Sequence, residues 1–246
     1  MTGQPCRILI TRPREDAEPL AAELVRRGFT PLVQPMLEIR TLEGPPLNLE
    51  GVQALLCTSA NGVRATAART TRRDLPVLAV GDATARAARD AGFAQVESAG
   101  GDVESLARLA AGRLDPAAGR LLHAAGTAVA GDLAGDLGRA GFTVERHVLY
   151  AAEPVTELGH DAVQGLYAGT IDAVLFFSPR TGRSFVKVVQ KAGLADRLGG
   201  VVALCLSEAV GTAVRTVDWQ AIHVARQPDQ AALLDLLPLV RRLPPS

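Results

Sequence analysis

Six turns in the sequence carry groups that suit the binding of an anion. Each turn follows a short apolar run and is rich in serine, threonine, glycine or asparagine, as at residues 58–61 and 178–180. Where a buried strand leads through a tight turn into a helix, backbone N–H groups at the helix N-terminus are free to hold an anion. Arginine, which pairs with a carboxylate through two hydrogen bonds, stands in or beside the turns as Arg12, Arg14, Arg64, Arg86, Arg180 and Arg183.

The same turns have a simpler interpretation. Serine, threonine, asparagine and glycine are the preferred N-cap residues, so every helix requires some of them. For any single turn, capping is the favoured explanation. Three features of the whole set favour binding: the turns all follow buried runs, they recur in both halves of the chain, and arginines accompany them. Together they predict a site for a ligand rich in carboxylates.

Tyr150 is the other residue whose type suggests chemistry. It lies in an extended segment, and Tyr167 is the only other tyrosine. The pattern alone favours a ring that packs over a sheet edge with its hydroxyl in water. The alternative is a phenol that faces the ligand and donates a proton or a hydrogen bond to a leaving group.

Other catalytic sets are missing from the sequence. No G-x-G-x-x-G follows the first apolar run, and Gly126 with Gly131 has phosphate-loop spacing without the following lysine and hydroxyl, which argues against nucleotide sites. The histidines and the three cysteines have no metal-ligand spacing, and no G-x-S-x-G marks a serine hydrolase. We therefore expect neither a metal nor a cofactor.

The elements that must position these turns occur twice. Residues 7–29 align without a gap with residues 120–142 at an offset of 113. Residues 54–63 align with 173–182 at 119, and residues 77–85 with 203–211 at 126. In each piece an apolar run ends in small polar residues before a helical periodicity begins. This alternation predicts parallel sheets flanked by helices on both faces, with ligands at the carboxyl ends of the strands.

Composition limits the class of protein. A chain of 246 residues with 48% apolar residues can form two domains with their own cores. The 26 basic and 26 acidic residues balance, so no net field attracts nucleic acid or an anionic membrane. No leader or membrane-spanning run stands out, and three scattered cysteines fit a reducing compartment. We expect a soluble, cytoplasmic protein.

Taken in order, the motifs resemble those of the uroporphyrinogen-III synthase family. They are ILITRP, PMLEI, CTSANGV, VGDATARAARDAGF, HVLYAAEP, FFSPRTG and LSEAVG, and the series covers nearly the whole chain. The resemblance implies an α/β fold of two similar domains that are discontinuous in sequence. Residues 1–34 and 152–246 would form the first domain and residues 37–149 the second. Linkers near 30–39 and 143–155 would join them as a two-stranded ladder.

The resemblance also implies a function. Members of this family are lyases that cyclise the linear tetrapyrrole hydroxymethylbilane, which bears acetate and propionate side chains, to uroporphyrinogen III. The reaction belongs to heme biosynthesis, eliminates water, inverts the last pyrrole ring and uses no cofactor or metal. The family resemblance further suggests a monomer. The alternatives are a non-catalytic two-domain binding or sensor module for an anionic metabolite, and a sugar- or nucleotide-modifying enzyme on a similar fold.

The resemblance assigns candidate site residues. Tyr150 falls on the family's tyrosine beside the cleft, where it would assist departure of hydroxide or stabilise the resulting cation. One departure is Ser207-Glu208-Ala209, where some members have glycine, proline and threonine. An acid there opposes an anionic ligand unless Glu208 points outward. The candidate substrate-binding residues are Thr11, Arg12, Ser59, Ala60, Asn61, Gly81, Thr84, Gly126, Ser178 and Ser207.

Overall fold

The computed structural model describes residues 5–128 and 131–240. The chain divides into two compact units, which we call the terminal unit (Met1–Glu38 with Glu153–Ser246) and the central unit (Ile39–Ala152). In chain order the strands and helices are β1 Arg7–Ile10, α1 Arg14–Arg26, β2 Thr30–Val33, β3 Leu37–Thr41, β4 Val52–Cys57, α2 Ala60–Arg69, β5 Val77–Ala79, α3 Asp82–Asp90, β6 Val96–Ser98, α4 Val103–Arg113, β7 Arg120–Gly126, α5 Leu133–Arg139, β8 Val144–Pro154, α6 His160–Tyr167, β9 Ala173–Phe176, α7 Pro179–Lys191, β10 Val202–Cys205, α8 Glu208–Val214, β11 Ala221–Val224 and α9 Gln230–Leu234.

The terminal unit contains a five-stranded sheet in the order β11-β10-β9-β1-β2. The pairs β1–β2, β1–β9, β9–β10 and β10–β11 are parallel. Successive side chains of a strand point to opposite faces, so Leu9 joins the core under α6, α7 and α8 while Ile8 and Ile10 join the core under α1 and α9. Both faces are therefore buried, as continuous apolar strands require.

The central unit contains a six-stranded sheet in the order β3-β8-β7-β4-β5-β6. The pairs β7–β8, β4–β7, β4–β5 and β5–β6 are parallel. Leu55 and Leu122 pack with α2 and α3 on one face, and Leu56 and Leu121 pack with α4 and α5 on the other. The predicted α/β class, with two mainly parallel sheets flanked by helices, is confirmed.

The repeat found in the sequence corresponds to matching turns. The offset of 119 aligns Ser59 with Ser178, and both are N-caps, of α2 and α7. The offset of 126 aligns Gly81 with Ser207, which are the N-caps of α3 and α8. From the sequence we predict a strand at residues 120–123, a turn at 125–127 and then a helix that runs to Gly141. The bounds of this strand are wrong, because β7 runs to Gly126 and α5 begins at Leu133.

The physical reason lies in the partners of this stretch. Gly126 remains paired with Tyr150 of β8, so the strand continues into the turn predicted at residues 125–127. Asp132 then caps α5 by accepting the N–H of Gly135 at 3.0 Å.

Among the described residues, none of the helices combines the length and apolar character that crossing a membrane requires.

Candidate functional site

The N-terminus of α2 is the first of the predicted turns in the central unit. The apolar strand β4 ends at Cys57, and Ser59 in extended backbone caps the helix, with its Oγ accepting the N–H of Gly62 at 3.1 Å. The first N–H groups of an α-helix have no partner within the helix, so those of Ala60 and Asn61 point out of the first turn. The side chain of Asn61 is turned to Arg64, whose Nη2 donates to Asn61 Oδ1 at 2.5 Å.

Tyr150 lies beside this cap. Its strand, β8, has β3 and β7 as neighbours, and only 8% of the residue is exposed. Its Oη lies 2.7 Å from Ser59 Oγ. The favoured expectation, a ring over a sheet edge with its hydroxyl in water, is wrong, because the ring is buried in the core and the hydroxyl bonds to the cap of α2.

Gly126 lies against the ring of Tyr150. It is the last residue of β7 and pairs with Tyr150 across the two strands. A Cβ at this position would lie 2.8 Å from Cε2 and Cζ of the ring. The carbonyl of Gly126 accepts a hydrogen bond from Arg146 Nη2 at 2.8 Å. Gly126 thus acts in a strand rather than in a turn, and its missing side chain leaves space for the phenol.

The N-terminus of α3 follows the next strand of the same sheet. Gly81 is the N-cap, with no side chain to close the first turn, and its carbonyl accepts the N–H of Ala85 at 3.0 Å. Thr84 is buried in that first turn. What this turn offers a ligand is therefore backbone N–H groups, in the way a helix N-terminus binds anions.

In the terminal unit, Thr11 and Arg12 follow β1. Thr11 is fully buried, and its hydroxyl donates to the carbonyl of Leu175 at 2.7 Å. The Thr11 hydroxyl therefore already has a hydrogen-bond partner within the sheet. The guanidinium of Arg12 lies 4.4 Å from the centre of the Phe177 ring, and its Nη1 donates to Gln230 Oε1 at 2.9 Å.

The two other turns of the terminal unit differ in their caps. Ser178 Oγ accepts the N–H of Thr181 at 3.2 Å and lies 3.1 Å from Thr181 Oγ1. Ser207 caps α8 without a side-chain hydrogen bond. The Glu208 side chain is 78% exposed and lies 3.6 Å from Arg215, so it points outward as the resemblance required of an acid at this turn.

Three buried titratable groups near these turns are neutral at pH 7. Burial, and to a lesser extent the charge of Arg146, lowers the pKa of His123 to about 4, and its Nε2 lies 3.3 Å from Thr58 Oγ1. Burial raises the pKa values of Cys57 and Cys205 to about 12, so these thiols stay protonated. Buried, protonated thiols of this kind are unreactive as nucleophiles.

Sequence reasoning named Ser59, Gly126 and Tyr150 as separate candidates and missed their contact. Ser59 and Tyr150 are 91 residues apart, so no local spacing signals the bond. The parallel order β4-β7-β8 brings them together. The contacts of His123 with Thr58 and of Arg146 with the Gly126 carbonyl were also missed, for the same reason.

Comparisons with known proteins agree on one family. Residues 18–235 match the family model described as uroporphyrinogen-III synthase HemD. The crystal structure of uroporphyrinogen-III synthetase from Helicobacter pylori is similar, with a TM-score of 0.63 and 16% identity over 96% of this chain and 100% of that one. A mutant uroporphyrinogen III synthase from Thermus thermophilus gives a TM-score of 0.54 and 20% identity over 96% and 98% of the two chains. The TM-scores show a shared fold, and at these low identities the two structures show nothing further. No curated protein sequence matches the chain.

Proposed function

The chain belongs to the uroporphyrinogen-III synthase family, and we propose that its helix N-termini bind the substrate while Tyr150 assists the elimination. The function of the family is the cyclisation of hydroxymethylbilane to uroporphyrinogen III, a lyase reaction of tetrapyrrole biosynthesis. The proposal concerns which residues of this chain carry it out. The observation that carries it is the 2.7 Å contact between Tyr150 Oη and Ser59 Oγ at the N-terminus of α2.

The main task is to position the substrate. Its terminal carbon must reach the substituted position of the last ring, so that a spiro intermediate forms and the ring is inverted. Holding the acetate and propionate groups at fixed points achieves this by orientation. The N–H groups at the starts of α2, α3 and α7 supply such points, each favoured by the helix macrodipole. The candidate residues of these turns are Ser59, Ala60, Asn61, Gly81, Thr84 and Ser178.

Two further turns complete the proposed set, those with Thr11 and Arg12 after β1 and with Ser207 at α8. The Thr11 hydroxyl is engaged with Leu175, so any contribution of Thr11 comes from its turn rather than from its side chain. Arg12 has a side chain that is partly exposed, and its charge suits a carboxylate. Ser207 contributes its hydroxyl, which makes no cap bond.

Tyr150 acts at the departing oxygen. The electron pair of the pyrrole nitrogen forms the exocyclic double bond while the bond from carbon to the terminal hydroxyl breaks. The proton of the phenol moves to that oxygen, water leaves, and a phenolate faces an azafulvenium cation. Ring closure later releases a proton, which returns to the phenolate. General acids of this kind contribute about 10²- to 10⁴-fold in rate.

Other features remain proposals of the same kind. We propose domains at residues 1–34 with 152–246 and at 37–149, a monomer, a cytoplasmic location and no nucleic-acid partner. The balanced charge and the family resemblance support them. Gel filtration with light scattering tests the monomer, and a mass of twice 25.7 kDa would contradict it.

Turnover separates this function from a binding module. Purified protein is mixed with freshly generated hydroxymethylbilane, the products are oxidised to porphyrins, and the isomers are separated by chromatography. We expect the type III isomer, and only type I with heat-denatured protein, because spontaneous closure does not invert the ring. Type I product alone from folded protein would contradict the enzyme. Thermal stabilisation by uroporphyrinogen III under those conditions would then favour the binding or sensor module.

A further inference from the structure

The hydroxyls of Tyr150 and Ser59 form a hydrogen-bonded pair that uses only one of their two hydrogens. Ser59 Oγ accepts the N–H of Gly62 at 3.1 Å and lies 2.7 Å from Tyr150 Oη. Each hydroxyl carries one hydrogen, and the bond between the two oxygens uses one of them. Whichever oxygen donates in that bond, the other hydroxyl can still donate to a third group.

The hydrogen bond from the N–H of Gly62 to Ser59 Oγ favours donation from Ser59 to Tyr150 over the reverse. When Ser59 donates to the phenol, the bonds run the same way from Gly62 N–H to Ser59 and from Ser59 to Tyr150, and hydrogen bonds in such a chain strengthen each other. The phenol hydrogen then remains available to a ligand oxygen.

Gly126 determines where the ring can lie. A Cβ on Gly126 would lie 2.8 Å from Cε2 and Cζ of Tyr150 and 3.1 Å from Oη, closer than packed atoms approach. The backbone of Tyr150 is held independently, since its carbonyl accepts the N–H of Thr127 at 3.0 Å. A side chain at position 126 would therefore move the ring and leave the strand in place.

We infer that Ser59 and Gly126 are positioning residues for Tyr150. Ser59 orients the phenol by donating to its oxygen, and Gly126 leaves the space that the ring occupies. The inference rests on the proposed role of Tyr150. It gives Ser59 a task different from holding a substrate carboxylate, because an orienting residue affects kcat whereas a residue that only binds affects KM.

Substitutions of Ser59 test whether this residue orients the phenol of Tyr150. Glycine is accepted at an N-cap, so Ser59→Gly removes the hydroxyl with little loss of helix stability. We expect kcat to fall about five- to tenfold with KM nearly unchanged, the effect of losing one hydrogen bond that holds the phenol in position for proton transfer. Ser59→Thr should restore kcat. Asp102→Ala is the control, because it removes the cap of α4 in the same unit without touching Tyr150.

The double variant distinguishes the inference from the proposal on which it rests. In a Tyr150→Phe background, Ser59→Gly should cause no further loss of kcat. A further loss of about five- to tenfold in kcat, the effect of about one hydrogen bond, would overturn the inference, because Ser59 would then act independently of Tyr150. So would an unchanged kcat for Ser59→Gly when Tyr150→Phe lowers it. An unchanged kcat for Tyr150→Phe would instead remove the proposed role of Tyr150.

Gly126→Ala tests whether Gly126 leaves the space that the Tyr150 ring occupies. Gly112→Ala is the matched control. A Cβ at Gly112 would meet no atom within 4 Å, so that variant should keep full activity. NMR of protein labelled with ¹³C-tyrosine gives ring signals from two tyrosines, of which Tyr167 is 54% exposed and serves as the reference. We expect Gly126→Ala and Ser59→Gly to move the Tyr150 signal and not the Tyr167 signal. We also expect Gly126→Ala to lower kcat about tenfold. An unmoved Tyr150 signal or an unchanged kcat in Gly126→Ala would overturn the inference.

Discussion

The central and terminal units share one order of elements and differ in what surrounds their caps. In the central sheet β7 lies next to the run β6-β5-β4, and in the terminal sheet β1 lies next to the run β11-β10-β9. β7 and β1 are the two strands that the offset of 113 aligns. Ser59 and Ser178 occupy matching caps. Ser59 Oγ lies 2.7 Å from the phenol of Tyr150, whereas Ser178 Oγ lies 3.1 Å from a hydroxyl of its own helix, that of Thr181.

With the roles proposed for these turns, the difference would separate binding from chemistry in a duplicated scaffold. A serine cap that bonds only within its own helix serves to fix the turn and its N–H groups. The matching cap, Ser59, lies beside a buried tyrosine, and we propose that it also orients this tyrosine as a proton donor. The two units also differ at one buried strand position, where the repeat aligns His123 of β7 with Ile10 of β1.

The largest effect should come from removing the phenol. We expect Tyr150→Phe to lower kcat about a hundredfold, since a general acid contributes at least that much. Spontaneous closure then competes, so the share of type I product should rise. Tyr167→Phe is the control, because Tyr167 is exposed at the end of α6. Equal rates for the two variants would remove the distinction drawn between the units.

The second prediction concerns the pH dependence of stability. The pKa of His123 is about 4 in the folded chain, below the ordinary value of 6.5, so the unfolded chain takes up the proton first as pH falls. The stability that depends on neutral His123 is complete above pH 6.5 and is lost as pH falls from there through 4. Between pH 7 and 5 the free energy of unfolding should fall on the order of 2 kcal/mol on this account.

His123→Ile introduces the residue type of Ile10, which the repeat aligns with His123. This variant should lose less unfolding free energy between pH 7 and pH 5, because it lacks the group that titrates. Urea unfolding of the variant and the natural chain at pH 7 and at pH 5 measures it. His123 contacts Thr58, so the variant also loses that bond at both pH values. An identical loss between pH 7 and 5 in both proteins would contradict the assignment to His123.

The smallest effect should come from the cap of the terminal unit. Ser178→Ala removes the acceptor of the Thr181 N–H, which costs about 1 kcal/mol and lowers Tm by roughly 2–4 °C. Because the turn is proposed to bind and not to react, KM should rise while kcat changes little. A fall in kcat at constant KM would indicate that both caps act in the chemistry.

Much of the fold could be predicted from the sequence because its signals are local. The apolar run before Ser59, the cap itself and the helical periodicity after it lie within a few residues, and the same holds at Ser178. The extent of β7 could not be predicted, because its pairing with β8 overrides the repeat and carries the strand to Gly126. The candidate site was predicted only as separate residues, because strand order, which local pattern does not encode, joins Ser59 to Tyr150.

The way the units are assembled from the chain has a consequence for synthesis. The central unit is one continuous segment, Ile39–Ala152, whereas the terminal unit needs both ends of the chain. Ile10 pairs with Leu175, so β1 finds its inner neighbour only after most of the polypeptide has left the ribosome. Because domains fold as units during translation, the central unit is free to fold first. Strand β1 remains unpaired with β9 until residues 173–175 have been synthesised.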